Sequence, residues 1–148
     1  MTVGYFLDLL IINAVRKEKL SISMDDDMEL DLNKQDGFLL REIGKTLLEI
    51  ADGQRPGTFA KHKSYDKNVG ETASNNLIEV IYKLYQRHSE LWDLEDLRRD
   101  KSNADDARLE ACDRVSIINK KRNDLVEMVD NIVNTRIRQT KLWGSSVD

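Results

Sequence analysis

Residues 111–132 read ACDRVSIINKKRNDLVEMVDNI, and this stretch decides the fold. Its apolar side chains recur three and four positions apart, as on one face of an α-helix, at Ala111, Val115, Ile118, Leu125, Val129 and Ile132. Arg122 occupies the one polar position in this heptad-like row. The pattern predicts a single long helix from about residue 104 to residue 143.

A second row of the same kind precedes it and predicts a helix over about 71–101. Its members are Leu77, Ile81, Leu84, His88, Leu91 and Glu95. Only a short link, in which Ser102 or Asn103 can cap the next helix, separates the two segments, so they are predicted to form an antiparallel hairpin. The polar seam residues either set the helix register or line a ligand site, and Trp92 is either a core anchor or a stacking surface.

The amino-terminal third predicts two further helices. The segment 2–20 is apolar on nearly every side, which places it in the centre of a core or against a partner chain. Residues 21–36 are acidic, as in a solvated connection or a helix start. The segment 37–52 carries an apolar stripe at Leu39, Leu40, Ile43, Leu47 and Ile50. The chain is therefore predicted to be all-α, a single domain over 1–148 built as a helical bundle with a long antiparallel helical hairpin.

The segment 53–70, GQRPGTFAKHKSYDKNVG, is the one irregular stretch between predicted helices. Its four bases, against the single acid Asp66, are Arg55, Lys61, Lys63 and Lys67. Glycine-rich backbone can approach a phosphate closely while the bases supply charge, and Tyr65 or Phe59 could stack on a base. No nucleotide-binding glycine motif is present in the sequence, and a solvated connection remains the alternative.

Charge and cysteine content narrow the classes of function. The formal net charge is −4, from 27 acidic against 23 basic residues, which argues against general nucleic-acid binding. Cys112 is the single cysteine, so no intrachain disulfide is expected and a cytoplasmic location is the simplest interpretation. The apolar run 3–15 is too short to span a membrane, and its positive charges follow it, unlike those of a signal peptide.

The hairpin carries a paired motif, L-W-x-x-E-D-x-x-R followed by N-x-x-R-N-D-x-x-E. Its residues are Leu91, Trp92, Glu95, Asp96 and Arg99, then Asn119, Arg122, Asn123, Asp124 and Glu127. Over about 88–130 the chain resembles an uncharacterised bacterial family described only as a domain of unknown function. The sequence departs from that family at His88, where the family favours Asn, and at Ser116, where it favours an acid. The resemblance implies a helical fold and no particular reaction.

A weaker resemblance is to all-α nucleotide pyrophosphohydrolases, which hold Mg²⁺ through acidic pairs one helical turn apart. The pairs at that spacing are Glu49/Asp52, Asp93/Asp96 and Glu127/Asp130. Such spacing is also ordinary on a solvated helix face. In an antiparallel hairpin, Glu95 and Asp124 lie on the order of 20 Å apart along the axis, so they cannot share one metal ion. No metal site is predicted.

These observations predict that a homo-oligomeric bundle binds a small phosphorylated, nucleotide-like ligand without catalysis. The predicted ligand-binding residues are Arg55, Lys61, Lys63 and Tyr65 of the loop, and Trp92, Glu95, Arg99, Arg122, Asn123 and Asp124 of the hairpin, lining a site between subunits. One alternative is a Mg²⁺-dependent nucleoside triphosphate pyrophosphohydrolase, with Mg²⁺ as its cofactor. The other is a structural or protein-interaction bundle, and no residue is assigned a catalytic role.

Overall fold

The architecture is a bundle of four α-helices. A computed structural model describes residues 1–55 and 70–145, with side chains described as far as residue 140. The helices are α1 (Val3–Lys19), α2 (Asp26–Ala51), α3 (Leu77–Arg99) and α4 (Asp105–Ser145), and none of the described residues is in a strand. The predicted all-α class is thus confirmed. Helices α3 and α4 pack along each other as a hairpin, and α1 packs against α2, α3 and α4.

Helix α2 begins at Asp26 and not at the predicted Gly37. The side chain of Asp25 caps the helix, because its Oδ1 accepts a hydrogen bond of 2.8 Å from the backbone N–H of Met28. The acids of the first turn, Asp26, Asp27 and Glu29, lie where the helix dipole favours negative charge. Most of the acidic segment is therefore the beginning of α2 and not a connection.

Helix α3 begins at Leu77, later than the predicted 71, because Asn76 caps it by accepting from the backbone N–H of Glu79 at 3.2 Å. Glu71, which precedes this cap, forms hydrogen bonds with both helices of the hairpin. The backbone N–H of Glu71 donates to Oδ2 of Asp124 at 3.1 Å, and its carboxylate accepts from Nε of Arg87 at 2.9 Å. Helices α1 and α4 lie within about two residues of their predicted limits.

The core runs along the hairpin and continues under α1. The hairpin residues Val80, Leu84, Leu125 and Val129 have no solvent exposure. On α1 the buried apolar side chains are Val3, Phe6, Ile11 and Val15. One side of α1 is thus buried within a single chain, whereas Leu7, Leu9, Leu10 and Ile12 are only partly buried. Within the described residues, no helix combines the length and apolar character needed to cross a membrane.

Candidate functional site

An open cavity of about 380 Å³ lies between α1, α3 and α4. Its lining is Ile12, Val15 and Arg16 of α1, His88, Leu91, Trp92, Glu95, Asp96 and Arg99 of α3, and Asn119 and Arg122 of α4. This size, and the combination of apolar walls with a few polar groups, is typical of small-molecule sites. The cavity is therefore the candidate functional site.

Behind the cavity wall, α1 supplies a buried carboxylate to a histidine of α3. Oδ1 of Asp8 lies 2.6 Å from Nε2 of His88, and both residues are about 6% exposed. A carboxylate can only accept hydrogen bonds, so Nε2 is the donor in this pair. His88 also lines the cavity, and Nδ1 is the ring nitrogen that does not contact Asp8.

Arg122 of α4 approaches the same carboxylate oxygen without bonding to it. Its Nε lies 3.9 Å from Oδ1 of Asp8, which is too long for a hydrogen bond. That nitrogen is buried and has no acceptor within the part of the chain that the structure describes. The side chain as a whole is 30% exposed and lines the cavity. Arg122 thus presents a partly exposed cation to the cavity, which suits it to bind an anion.

The other charged groups of the cavity differ in how strongly they are engaged. Glu95 is held by Arg98 at 2.6 Å and by Arg99 at 3.5 Å, so its charge is balanced on its own helix. Arg16 makes no ion pair with any residue among 1–55 and 70–140. Asp96 is exposed to solvent. The cavity cations that have no close carboxylate partner among the described residues are therefore Arg16 of α1 and Arg122 of α4.

Four of the predicted ligand-binding residues come together in this cavity: Trp92, Glu95, Arg99 and Arg122. Their neighbours Asn123 and Asp124 do not line it, although they follow Arg122 on α4. Asn123 is exposed. Asp124 is buried, where it holds the backbone of Glu71, and its Oδ1 has no partner among the described residues.

Of the four predicted residues of the basic loop, the structure describes only Arg55, and Arg55 is not part of this arrangement. Arg55 follows the end of α2, where it contacts Glu49 at 3.4 Å and the hydroxyl of Thr46 at 3.3 Å, and it does not line the cavity. Lys61, Lys63 and Tyr65 lie outside the described residues.

Sequence reasoning missed what α1 contributes, namely Asp8 and Arg16. One signal was present, because Asp8 interrupts a strongly apolar segment and a buried carboxylate requires a partner. Asn13 gives the same signal and is also buried. It donates to Asp36 at 3.0 Å and to Gln35 at 3.3 Å, so it joins α1 to α2 and not to the site.

The acidic pairs suggested for Mg²⁺ make separate contacts. Glu49 pairs with Arg55, Asp93 pairs with Lys19 at 3.0 Å, and Asp130 accepts from the backbone of Gly4. Across the described parts of the chain, no group of three or more His, Cys, Asp or Glu side chains is arranged to hold a metal ion.

Comparison with known proteins gives one match. Residues 78–145 match the model of a family described as "Protein of unknown function (DUF4254)". The match covers nearly all of α3 and α4 and confirms the resemblance of the hairpin to a family of unknown function, while α1 and α2 lie outside it. No curated protein and no solved structure matches the chain, and the similarity to pyrophosphohydrolases is not shown.

Proposed function

We propose that this protein binds a small phosphorylated, nucleotide-like ligand in the cavity between α1, α3 and α4, without turnover. The observation that carries the proposal is Arg122, a 30% exposed cation of the cavity wall whose contact with Asp8, at 3.9 Å, is too long for a hydrogen bond. A phosphate oxygen would accept a charge-assisted hydrogen bond from the exposed part of this guanidinium group. Arg16 lines the same space and provides a second cation.

The remaining walls suit an organic group attached to the phosphate. Ile12, Val15 and Leu91 supply apolar surface, and Trp92 supplies an aromatic ring that is partly exposed. Stacking of a nucleobase on such a ring is favourable and tolerates different bases. Asn119 adds an amide that can both donate and accept.

The basic loop remains a second source of charge in this proposal. Lys61 and Lys63 belong to the segment that joins α2 to α3, and Tyr65 could add a second aromatic surface. Replacing both lysines by Glu should weaken ligand binding, more strongly at low salt, without loss of the fold. Unchanged affinity in this double variant would remove the loop from the site.

The direct test is calorimetric titration with ATP, AMP, inorganic phosphate and adenosine. Arg122→Gln should lower the affinity for the phosphorylated compounds by roughly tenfold to a hundredfold, which is the range for a hydrogen bond to a charged group. Arg114→Gln is the matched control, because Arg114 is an exposed residue of the same helix that does not line the cavity. Equal effects of the two substitutions, or binding of none of the phosphorylated compounds, would contradict the proposal.

Fluorescence offers an independent measurement of the same site. The chain has two tryptophans, Trp92 and Trp143, so Trp143→Phe leaves Trp92 as the only reporter. A ligand in the cavity should change the emission of Trp92. The affinity from this fluorescence titration should equal the affinity from calorimetry. A ligand that binds without changing it lies elsewhere.

The two alternatives give different outcomes in these experiments. Release of pyrophosphate from a nucleoside triphosphate that requires Mg²⁺ and is lost in Glu127→Gln would support the pyrophosphohydrolase. A folded protein that binds none of the compounds would support a structural or protein-interaction role.

We further propose that the chain works as a homo-oligomer in the cytoplasm. The support for association is on α2, where Phe38, Leu40 and Leu48 are each more than half exposed. Large apolar side chains exposed on one helix can be covered by a partner. The free Cys112 is compatible with a reducing compartment.

A further inference from the structure

The hydrogen bond between Asp8 and His88 determines what the histidine offers to the cavity. Since Nε2 donates to the carboxylate at 2.6 Å, a neutral ring carries its lone pair on Nδ1. A lone pair repels the oxygens of an anionic ligand. Once protonated, the same Nδ1 becomes an N–H donor, and the ring adds a positive charge beside Arg122.

The charges around His88 allow this protonation when an anion is bound. From α1, Asp8 favours the charged ring, whereas Arg16 opposes it. From α4, Arg122 also opposes it, and on α3 Glu95 is balanced by Arg98 and Arg99. No described residue of α2 lines the cavity. An oxyanion next to Arg122 offsets the opposing cations, so anion binding and protonation favour each other.

We propose that His88 takes up a proton as an oxyanion binds beside Arg122, and that its Nδ1–H then donates a hydrogen bond to the ligand. Asp8 acts as the positioning residue, because it fixes the ring and stabilises its positive charge. The site therefore favours ligands with an oxyanion that can accept from both Arg122 and His88, such as phosphomonoesters. This inference rests on the proposed function and names the ligand chemistry and the pH dependence of the same site.

The test is the number of protons taken up when AMP binds. Calorimetry near pH 8, in buffers that differ in ionisation enthalpy, reports this number directly. The phosphate of AMP, with a second pKa of about 6, is already doubly charged there, so any proton taken up belongs to the protein. We expect a measurable uptake of protons when AMP binds, and an affinity that falls as the pH rises.

The two histidines of the chain provide a matched pair of variants. His88→Gln keeps a side-chain donor that can reach Asp8 but cannot titrate, so AMP should bind more weakly and without proton uptake. His62→Gln should bind AMP with the uptake of the wild type. Loss of the uptake in His62→Gln, with retention in His88→Gln, would overturn the proposal.

The outcomes also separate this inference from the proposed function. If AMP binds the wild type with no proton uptake, the inference is wrong and the proposed function stands. If AMP does not bind, both fail. Should His88→Gln not fold, the ¹⁵N chemical shifts of the imidazole in the wild type replace it. We expect His88 to change from the neutral to the doubly protonated pattern when AMP is added, and an unchanged neutral ring would contradict the proposal.

Discussion

The backbone N–H of Gly4, at the start of α1, donates a hydrogen bond of 2.7 Å to Oδ1 of Asp130 on α4, 126 residues later in the sequence. The first N–H groups of a helix have no partner within it, and a carboxylate there also complements the helix dipole. A Cβ atom at Gly4 would collide with the carbonyl oxygen of Val126. The start of α1 thus rests directly on the backbone of α4, and only glycine permits this approach.

Substitution of Gly4 tests this contact. Gly4→Ala should lower the free energy of unfolding by about 1–3 kcal/mol, because the added methyl group forces α1 away from α4. Gly44→Ala is the control, since a Cβ at this position of α2 meets no atom within 4 Å. It should raise the free energy of unfolding by about 0.5–1 kcal/mol, because alanine is the better helix former. Urea denaturation measures the free energy of unfolding of both variants. A change of the same sign in the two would contradict the close packing of α1 on α4 at Gly4.

The hairpin core makes a second prediction. Leu125 has no solvent exposure, so Leu125→Ala should lower the free energy of unfolding by about 2–5 kcal/mol through lost burial and the cavity left behind. Leu109 lies on the same helix and is 66% exposed, so Leu109→Ala should change the free energy of unfolding by less than about 0.5 kcal/mol. Comparable losses in thermal or urea unfolding would show that the predicted face of α4 is not the buried one.

Removal of the Asp8 carboxylate should destabilise the protein as well as alter the site. Asp8→Ala leaves the buried Nε2 of His88 without its acceptor, and we expect a loss of about 1–3 kcal/mol in the free energy of unfolding. Glu18→Ala, at an exposed position of α1, is the control and should have little effect. If the two variants unfold alike, Asp8 is not engaged as described.

The turn between α3 and α4 allows a prediction about ionisation. The hydroxyl of Ser102 donates to Oδ1 of Asp100 at 2.7 Å and its backbone N–H at 2.9 Å, and both hold the pKa of Asp100 below its ordinary value. Ser102→Ala should raise this pKa part of the way back, because only the backbone donor remains. A carboxyl pKa lowered by folding adds stability above the unfolded-state pKa, and this contribution is lost as the pH falls through the folded-state pKa. An NMR titration of Asp100 with the same midpoint in both proteins would contradict the assignment.

The exposed apolar residues of α2 predict the basis of self-association. Light scattering should give a mass above the 17.1 kDa of one chain, and Leu40→Glu with Leu48→Glu should return the protein to a monomer. Ile78→Glu is the control, because Ile78 is an exposed apolar residue of α3. A monomeric wild type would remove the proposal of a homo-oligomer.

The sequence was most informative where periodicity is strong. The row from Ala111 to Ile132 predicted α4 and its buried face because a helix with one apolar stripe has a single way to bury it. The same reasoning brought Trp92, Glu95 and Arg99 to one side of α3, since they are spaced about one turn apart. The start of α2 was missed because its first turns are acidic and its cap, Asp25, is one of several adjacent acids.

The partner of His88 could not be predicted from the sequence. Periodicity indicates which side of a helix is buried, but not which residue of another helix will face it. That Asp8 would meet His88 depends on how α1 lies across the hairpin, which is set by packing at Val3, Gly4 and Phe6. Polar residues inside an apolar segment can therefore be flagged in a sequence, while their partners cannot.

The positions of Asp8, His88 and Arg122 in the sequence have a consequence for the order of folding. His88 and Arg122 belong to a hairpin closed by a short turn, whereas Asp8 lies 80 residues before His88. Contacts close in sequence form early during folding and distant ones form late, because closing a long loop costs more entropy. We expect the hairpin to form first, with two basic side chains on one side, and α1 to dock onto it last, guided by its carboxylate. Asp8, His88 and Arg122 come together only when α1 has docked onto the hairpin, so a ligand that requires all three binds only a chain in which this docking has taken place.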